Sequence, residues 1–175
     1  MSQGVRFLEE HGAMRVLGVD PGLQTTGYGL LDDHSGKPEL IEAGVIRSKP
    51  SHPLEKRLID IHNGIDNVIN DFRPEALSIE ELYSHYKHPR TAVVMGHARG
   101  VLFLAAGKAG IPVFSYSSTR IKKSITGSGH ASKEQLARMI CRVLRCDAIG
   151  GPVDVTDAIA AALCHLNAIS HGGGL

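Results

Sequence analysis

Apolar residues recur along this chain with two different periods. Val16 to Val19 form a short apolar run, and a second, Gly27 to Leu31, follows a Gln-Thr-Thr linker. Both read as strands, and 39–48, ELIEAGVIRS, reads as a third that contains a glycine. Over 53–72 the period changes. Leu54, Leu58, Ile61, Ile65, Val68, Ile69 and Phe72 recur at helical spacing with polar residues between them. Gly64 weakens that helix without breaking it, and Pro74 follows its end. The segment 75–82, EALSIEEL, reads as a short strand ending in acids. Residues 89–110 open with Pro and close with Gly, as helices often do. They are apolar nearly all round, which predicts burial on more than one side. Ala92, Gly96 and Gly100 stand four apart there and permit a close helix contact. IPVFSY, 111–116, is a strand, and STRIKKSI a short helix. A glycine-rich loop then leads to a helix at Ser132, which forms a capping box with Gln135. A last apolar helix covers 154–169.

Three strands, helix, strand, helix, strand and then helices describe an α/β fold. The expected sheet is mixed and five-stranded: strands 1–3 antiparallel, strands 1, 4 and 5 parallel, with helices flanking it. No repeat or linker marks a second domain, so 14–170 is expected to be one domain. Residues 1–13 carry Glu9 and Glu10 and lack the apolar centre of a signal peptide. They read as a flexible N-terminal extension, and 171–175 as a flexible tail.

At 42% hydrophobic residues, the chain is too apolar for intrinsic disorder, and no apolar run is long enough for a membrane span. Cys141, Cys146 and Cys164 are odd in number and lack metal-site spacing, which fits a reduced, cytoplasmic protein. The net charge of +1 conceals a strong segregation. Residues 84–145 hold eleven Lys or Arg and one acid, Glu134, while the remainder holds eight basic and seventeen acidic residues. Such a field suits a polyanionic partner. The plainer alternative is a solvated basic face.

The acids raise a sharper question. Asp20 ends an apolar run and is followed at once by Pro21 and Gly22. Asp-Pro-Gly is a common turn, so Asp20 has a purely structural reading. Glu80, in SIEELY, has the same reading as a solvated strand end. Asp154 and Asp157, three apart, share one helix face, and alone would serve as N-cap and third-position acid. Together they suggest more. If strands 1 and 4 are parallel neighbours, Asp20 and Glu80 end side by side, and the last helix adds two acids. Such a cluster is tolerable around divalent cations, and all-oxygen ligands indicate Mg²⁺, with Mn²⁺ able to substitute. Two ions about 3.5–4 Å apart activate a water and stabilise the leaving oxygen of a phosphodiester.

The segments LGVDPGLQTTGYG, SIEELY, MGHARG, GIPVFSY, GSGHASKEQ and DVTDAIAAALCH in combination resemble RuvC, the bacterial Holliday junction resolvase family of the RNase H-like fold. The resemblance runs from about Met14 to Ala168. It implies a metal-binding catalytic tetrad at Asp20, Glu80, Asp154 and Asp157. It implies DNA contacts at Lys122 and Lys133, with Arg120 and Lys123 beside them, and an aromatic at Tyr83 near the junction centre. The implied activity is a Mg²⁺-dependent endodeoxyribonuclease, with two ions per site, that resolves four-way junctions by paired symmetric nicks in recombination and repair. The implied partners are four-way junction DNA and the RuvA–RuvB branch-migration complex.

A junction with approximate two-fold symmetry also calls for a homodimer, because one tetrad makes one cut. Helix 89–110 is the candidate interface, unless helix 53–72 covers its second face. Two other readings are a non-catalytic junction-binding module and half of an actin-like ATPase. GSGHASK lacks the spacing of a P-loop. His85, His88, His97 and His130 read as surface or core filler, since none has metal-ligand spacing with another. His165 reads as packed.

Overall fold

The structure is a computed structural model and describes residues 13–82 and 89–170. The extension expected over 1–13 lies outside it apart from Ala13, and the tail 171–175 lies wholly outside. The elements run β1 Met14–Asp20, β2 Thr25–Asp33, β3 Pro38–Arg47, α1 Leu54–Phe72, β4 Ala76–Glu80, α2 Pro89–Lys108, β5 Val113–Tyr116, α3 Ser118–Thr126, α4 Lys133–Leu144 and α5 Val153–Ser170. The strands form one sheet of order β3-β2-β1-β4-β5. β1, β2 and β3 pair antiparallel, whereas β1 with β4 and β4 with β5 pair parallel, which is the expected mixed sheet.

Strand alternation divides the core in two. Leu17, Val19, Leu30, Leu77 and Ile79 face α1 and α2. Val16, Leu31 and Ala76 face the other way, toward α3, α4 and α5. Gly18 lies between these apolar positions on the α5 side. A Cβ there would stand 2.0 Å from the Ala158 carbonyl oxygen and 2.7 Å from the Ala162 nitrogen. Gly27 does the same for the first turn, since its Cβ would meet the Asp154 carbonyl oxygen at 2.1 Å. Glycine at these two positions lets α5 lie directly on β1 and β2. Buried Ser78 fastens the contact by donating to the Ala161 carbonyl at 2.6 Å.

Two expectations need correction. Helix α2 buries one side only. Ala98, Leu102, Ala105 and Ala106 are buried against the sheet and α1, while Val93, Phe103 and Leu104 are exposed. Helix α1 sits beside α2 on the same sheet face, so it cannot cover the outer side of α2 as well. Helix α5 begins at Val153, so Asp154 is its second residue and Asp157 its fifth. Neither is the expected N-cap or third-position acid. Pro152 precedes the helix with its φ already suited to a helical start, and its carbonyl accepts the Val155 N–H at 3.0 Å.

Elsewhere local signals hold. Ser132 accepts from Gln135 N, and the Gln135 side chain answers at Ser132 N, closing the capping box. His165 is buried, its Nδ1 is 2.7 Å from the Tyr116 hydroxyl, and it stacks on Phe114.

Candidate active site

The register places the first two acids. Val19 pairs with Ile79 in parallel, so Asp20 and Glu80, the next residues, leave the sheet side by side. Asp20 is also opposite Gly27, the glycine on which the first turn of α5 rests. That turn brings Asp154 and Asp157 over the same edge. Four acids far apart in the chain thus meet because of one parallel pairing and one bare backbone position. Carboxyl ends of parallel strands are where open α/β sheets characteristically hold ligands.

The electrostatics record the crowding. Burial, reinforced by Asp157, Asp154 and Glu80 and opposed by Lys133, pushes the Asp20 carboxyl from 3.8 up to about 7. Burial also raises Glu80, against a hydrogen bond from Ser118, with Asp157 raising it further and Lys122 and Lys133 opposing. A cavity of about 130 Å³ opens here, and Glu80, Ser118, Lys122, Lys133 and Asp157 all line it. The Lys133 ammonium donates to Asp157 Oδ2 at 3.0 Å. That bond raises the lysine above its ordinary value. The expected cluster is therefore not four bare carboxylates, because a lysine already neutralises one of them.

Among the described residues no three such side chains stand close enough to hold one metal ion as they are. The donor set nonetheless fits a hard divalent cation. It is all oxygen, it contains a carboxyl that burial first and the neighbouring acids second push up to about 7, and a cation is what relieves that penalty.

The two expected basic pairs separate. Lys122 and Lys133 line the acidic cavity. Arg120 and Lys123 lie on another side of α3, along a cavity shared with Cys164 and Asn167, and Arg120 stacks over Tyr116 at 4.8 Å. Tyr83 lies outside the described residues, as do His85, Lys87 and His88. Glu81, beside Glu80, is exposed, and its N–H is used on the Tyr116 carbonyl. Sequence reasoning missed Ser118 and the contact of Arg99 with the Glu80 carbonyl. Arg99 lies in the quoted MGHARG segment, but nothing in that segment shows what its side chain reaches.

A family model described as crossover junction endodeoxyribonuclease RuvC matches residues 16–165. This chain belongs to the RuvC family. A RuvC from Rhodopirellula baltica is 46% identical over 149 residues, covering 85% of this chain and 84% of its own. One from Myxococcus xanthus is 41% identical over 155 residues, covering 88% and 81%. Among solved structures, T. thermophilus RuvC in complex with a Holliday junction substrate matches with a TM-score of 0.86 at 34% identity, over 91% of this chain and 96% of that one. The mixed sheet is thus the RNase H-like sheet of the RuvC family. The acidic edge of this RuvC-family chain lies at the ends of β1 and β4 and the start of α5.

Proposed function

We propose that this protein is a Mg²⁺-dependent endodeoxyribonuclease that resolves four-way DNA junctions by paired, symmetric nicks, leaving 5′-phosphate and 3′-hydroxyl ends. The observation that carries the reading is the meeting of Asp20, Glu80, Asp154 and Asp157 at one sheet edge of a RuvC-family chain, with Lys122 and Lys133 beside them. Asp20, Glu80, Asp154 and Asp157 would hold two Mg²⁺ ions. When bound, the ions supply activation of water and stabilisation of charge on the leaving oxygen.

The protein's own groups do the rest. The sheet edge and the α5 turn fix the carboxylates on rigid elements, so a phosphodiester brought to them meets a preorganised site. Lys122 and Lys133 hold backbone phosphates. Lys133 has two partners to exchange, because neutralisation of Asp157 by a cation frees its ammonium for DNA. It also stands at the first position of α4, where helix amides favour a phosphate. Arg120, Lys123 and Tyr83 extend the DNA-contacting surface.

The acting form is a homodimer. The exposed apolar side of α2, with Val93, Phe103 and Leu104, offers the interface, and a Cβ on Gly96 or Gly100 would meet nothing within 4 Å among the described residues. The partner machinery is RuvA–RuvB, and the nuclease domain spans 14–170. Cys141, Cys146 and Cys164 are free thiols, in keeping with a reduced, cytoplasmic setting. No described helix is long and apolar enough to cross a membrane.

Charge-removing, volume-keeping substitutions test the site. Glu80→Gln and Asp157→Asn should abolish cleavage of a junction that they still bind. Wild-type cleavage by either variant overturns the assignment.

A further inference from the structure

The end of β4 carries more than a carboxylate. The β1–β4 register stops at Val19–Ile79, one residue short of Glu80. The Glu80 carbonyl instead accepts a hydrogen bond from Arg99 Nη1, which arrives from α2. Arg99 Nη2 donates at 2.7 Å to the hydroxyl of Ser115 on β5. The guanidinium therefore bridges the ends of two neighbouring strands. Its own position is fixed from behind, where it lies 4.9 Å over the Phe103 ring one turn further along α2. A half-buried, planar group with two strand-end acceptors and an aromatic backing has little freedom to move.

We propose that Arg99 is a positioning residue for the acidic site: it fixes the backbone of Glu80, and so sets where the Glu80 carboxylate stands relative to Asp20. The inference rests on the proposed function for its catalytic consequence, but the metal-binding consequence stands by itself. Glu80 is the last residue of β4, and its peptide is held toward β5 by the Glu81 N–H on the Tyr116 carbonyl; without the guanidinium its own carbonyl loses its donor and that peptide keeps one hold instead of two. Partners of this kind, one bond removed from a ligand, typically change metal affinity or activity about 10- to 100-fold. The requirement is geometric. Lysine keeps the positive charge but offers a single ammonium, which does not reproduce the planar fork spanning both acceptors.

The test uses Arg99→Lys and the milder Ser115→Ala, which removes the second anchor of the fork. Three quantities are read on each folded protein, well below its melting temperature. These are Mn²⁺ affinity by calorimetry without DNA, junction affinity in EDTA, and single-turnover cleavage. Arg99→Lys should weaken Mn²⁺ binding and slow cleavage, each about 10-fold or more, while junction affinity stays within about twofold because the charge is kept. Ser115→Ala should shift Mn²⁺ affinity in the same direction by less, and it decides the matter if Arg99→Lys does not fold. Wild-type Mn²⁺ affinity in the folded variants overturns the proposal. So does a defect confined to junction affinity, which would make Arg99 a phosphate contact. A wild-type protein that binds Mn²⁺ but never cuts a junction would fail the proposed function and leave the Arg99 measurement readable.

Discussion

Asp20→Asn should make the metal-free protein more stable while abolishing cleavage. The folded protein holds this carboxyl at about 7, against 3.8 for the free side chain, through burial first and then through Asp157, Asp154 and Glu80. At about 1.4 kcal/mol per pH unit, ionising it in the fold costs about 4 kcal/mol. The cost depends on pH in a definite direction. Below about pH 4 the group is protonated whether the chain is folded or not, and the fold carries no penalty. As pH rises from 4 to 7 the unfolded chain releases the proton and the fold retains it, so stability falls; above 7 the loss is complete. Asparagine removes the charge and keeps the volume, but its buried amide has a desolvation cost of about 1–3 kcal/mol. A net gain of about 2 kcal/mol at pH 8 remains, which is a rise of about 4–8 °C in melting temperature for a chain of this size. Thermal melts in EDTA at pH 8 and pH 5 provide the assay. The variant should melt higher at pH 8, and the difference should shrink or reverse at pH 5. An Asp20→Asn protein that melts at or below wild type at pH 8 in EDTA would refute the crowding argument. Saturating Mg²⁺ should reverse the order, since only the wild type keeps the full ligand set.

Protons and metal compete for the same carboxylates, so the Mg²⁺ concentration for half-maximal cleavage should rise as pH drops below 7; titrations from pH 6 to 8 check this. Gly27→Ala places a Cβ against the Asp154 carbonyl and must lift the start of α5. It should cost about 1–3 kcal/mol of stability by overpacking and slow single-turnover cleavage about 100-fold, the scale of a 1 Å misplacement. Lys122→Ala and Lys133→Ala should each weaken junction binding and reduce the salt slope by about 0.9 for each phosphate that is no longer neutralised, measured by fluorescence anisotropy against salt. Gly100→Leu, or a charge at Leu104, should turn dimer into monomer in sedimentation and leave at most unpaired nicks.

The sheet order and the placement of Asp20 and Glu80 were legible because both follow from strand period and parallel pairing, which short apolar runs display directly. Asp154 and Asp157 were legible as a pair on one helix face, but their helical positions were not. A proline start displaced the helix N-terminus, and cap statistics favour Asp over Pro there. Helix α2 misled in another way. Apolar residues on every side signal burial, but the sequence does not distinguish cover from the same chain and cover from a second copy, and Val93 and Leu104 remain exposed here. The Lys133–Asp157 pair and the Arg99 bridge could not be read at all. Each joins residues distant in sequence through side-chain reach, which no periodicity encodes. Gly18 and Gly27 lie inside apolar runs that show nothing of what rests on them, and they are the seats of α5.

The most direct measurement mixes the pure protein with a synthetic four-way junction, each strand labelled in turn, and with linear duplex of the same sequence, in Mg²⁺ or EDTA. The account predicts nicks at symmetric positions in two like strands of the junction, in Mg²⁺ only, with the linear duplex left intact. A junction that is bound but stays uncut across Mg²⁺ and Mn²⁺ titrations, or a duplex cut as fast as the junction, would contradict it.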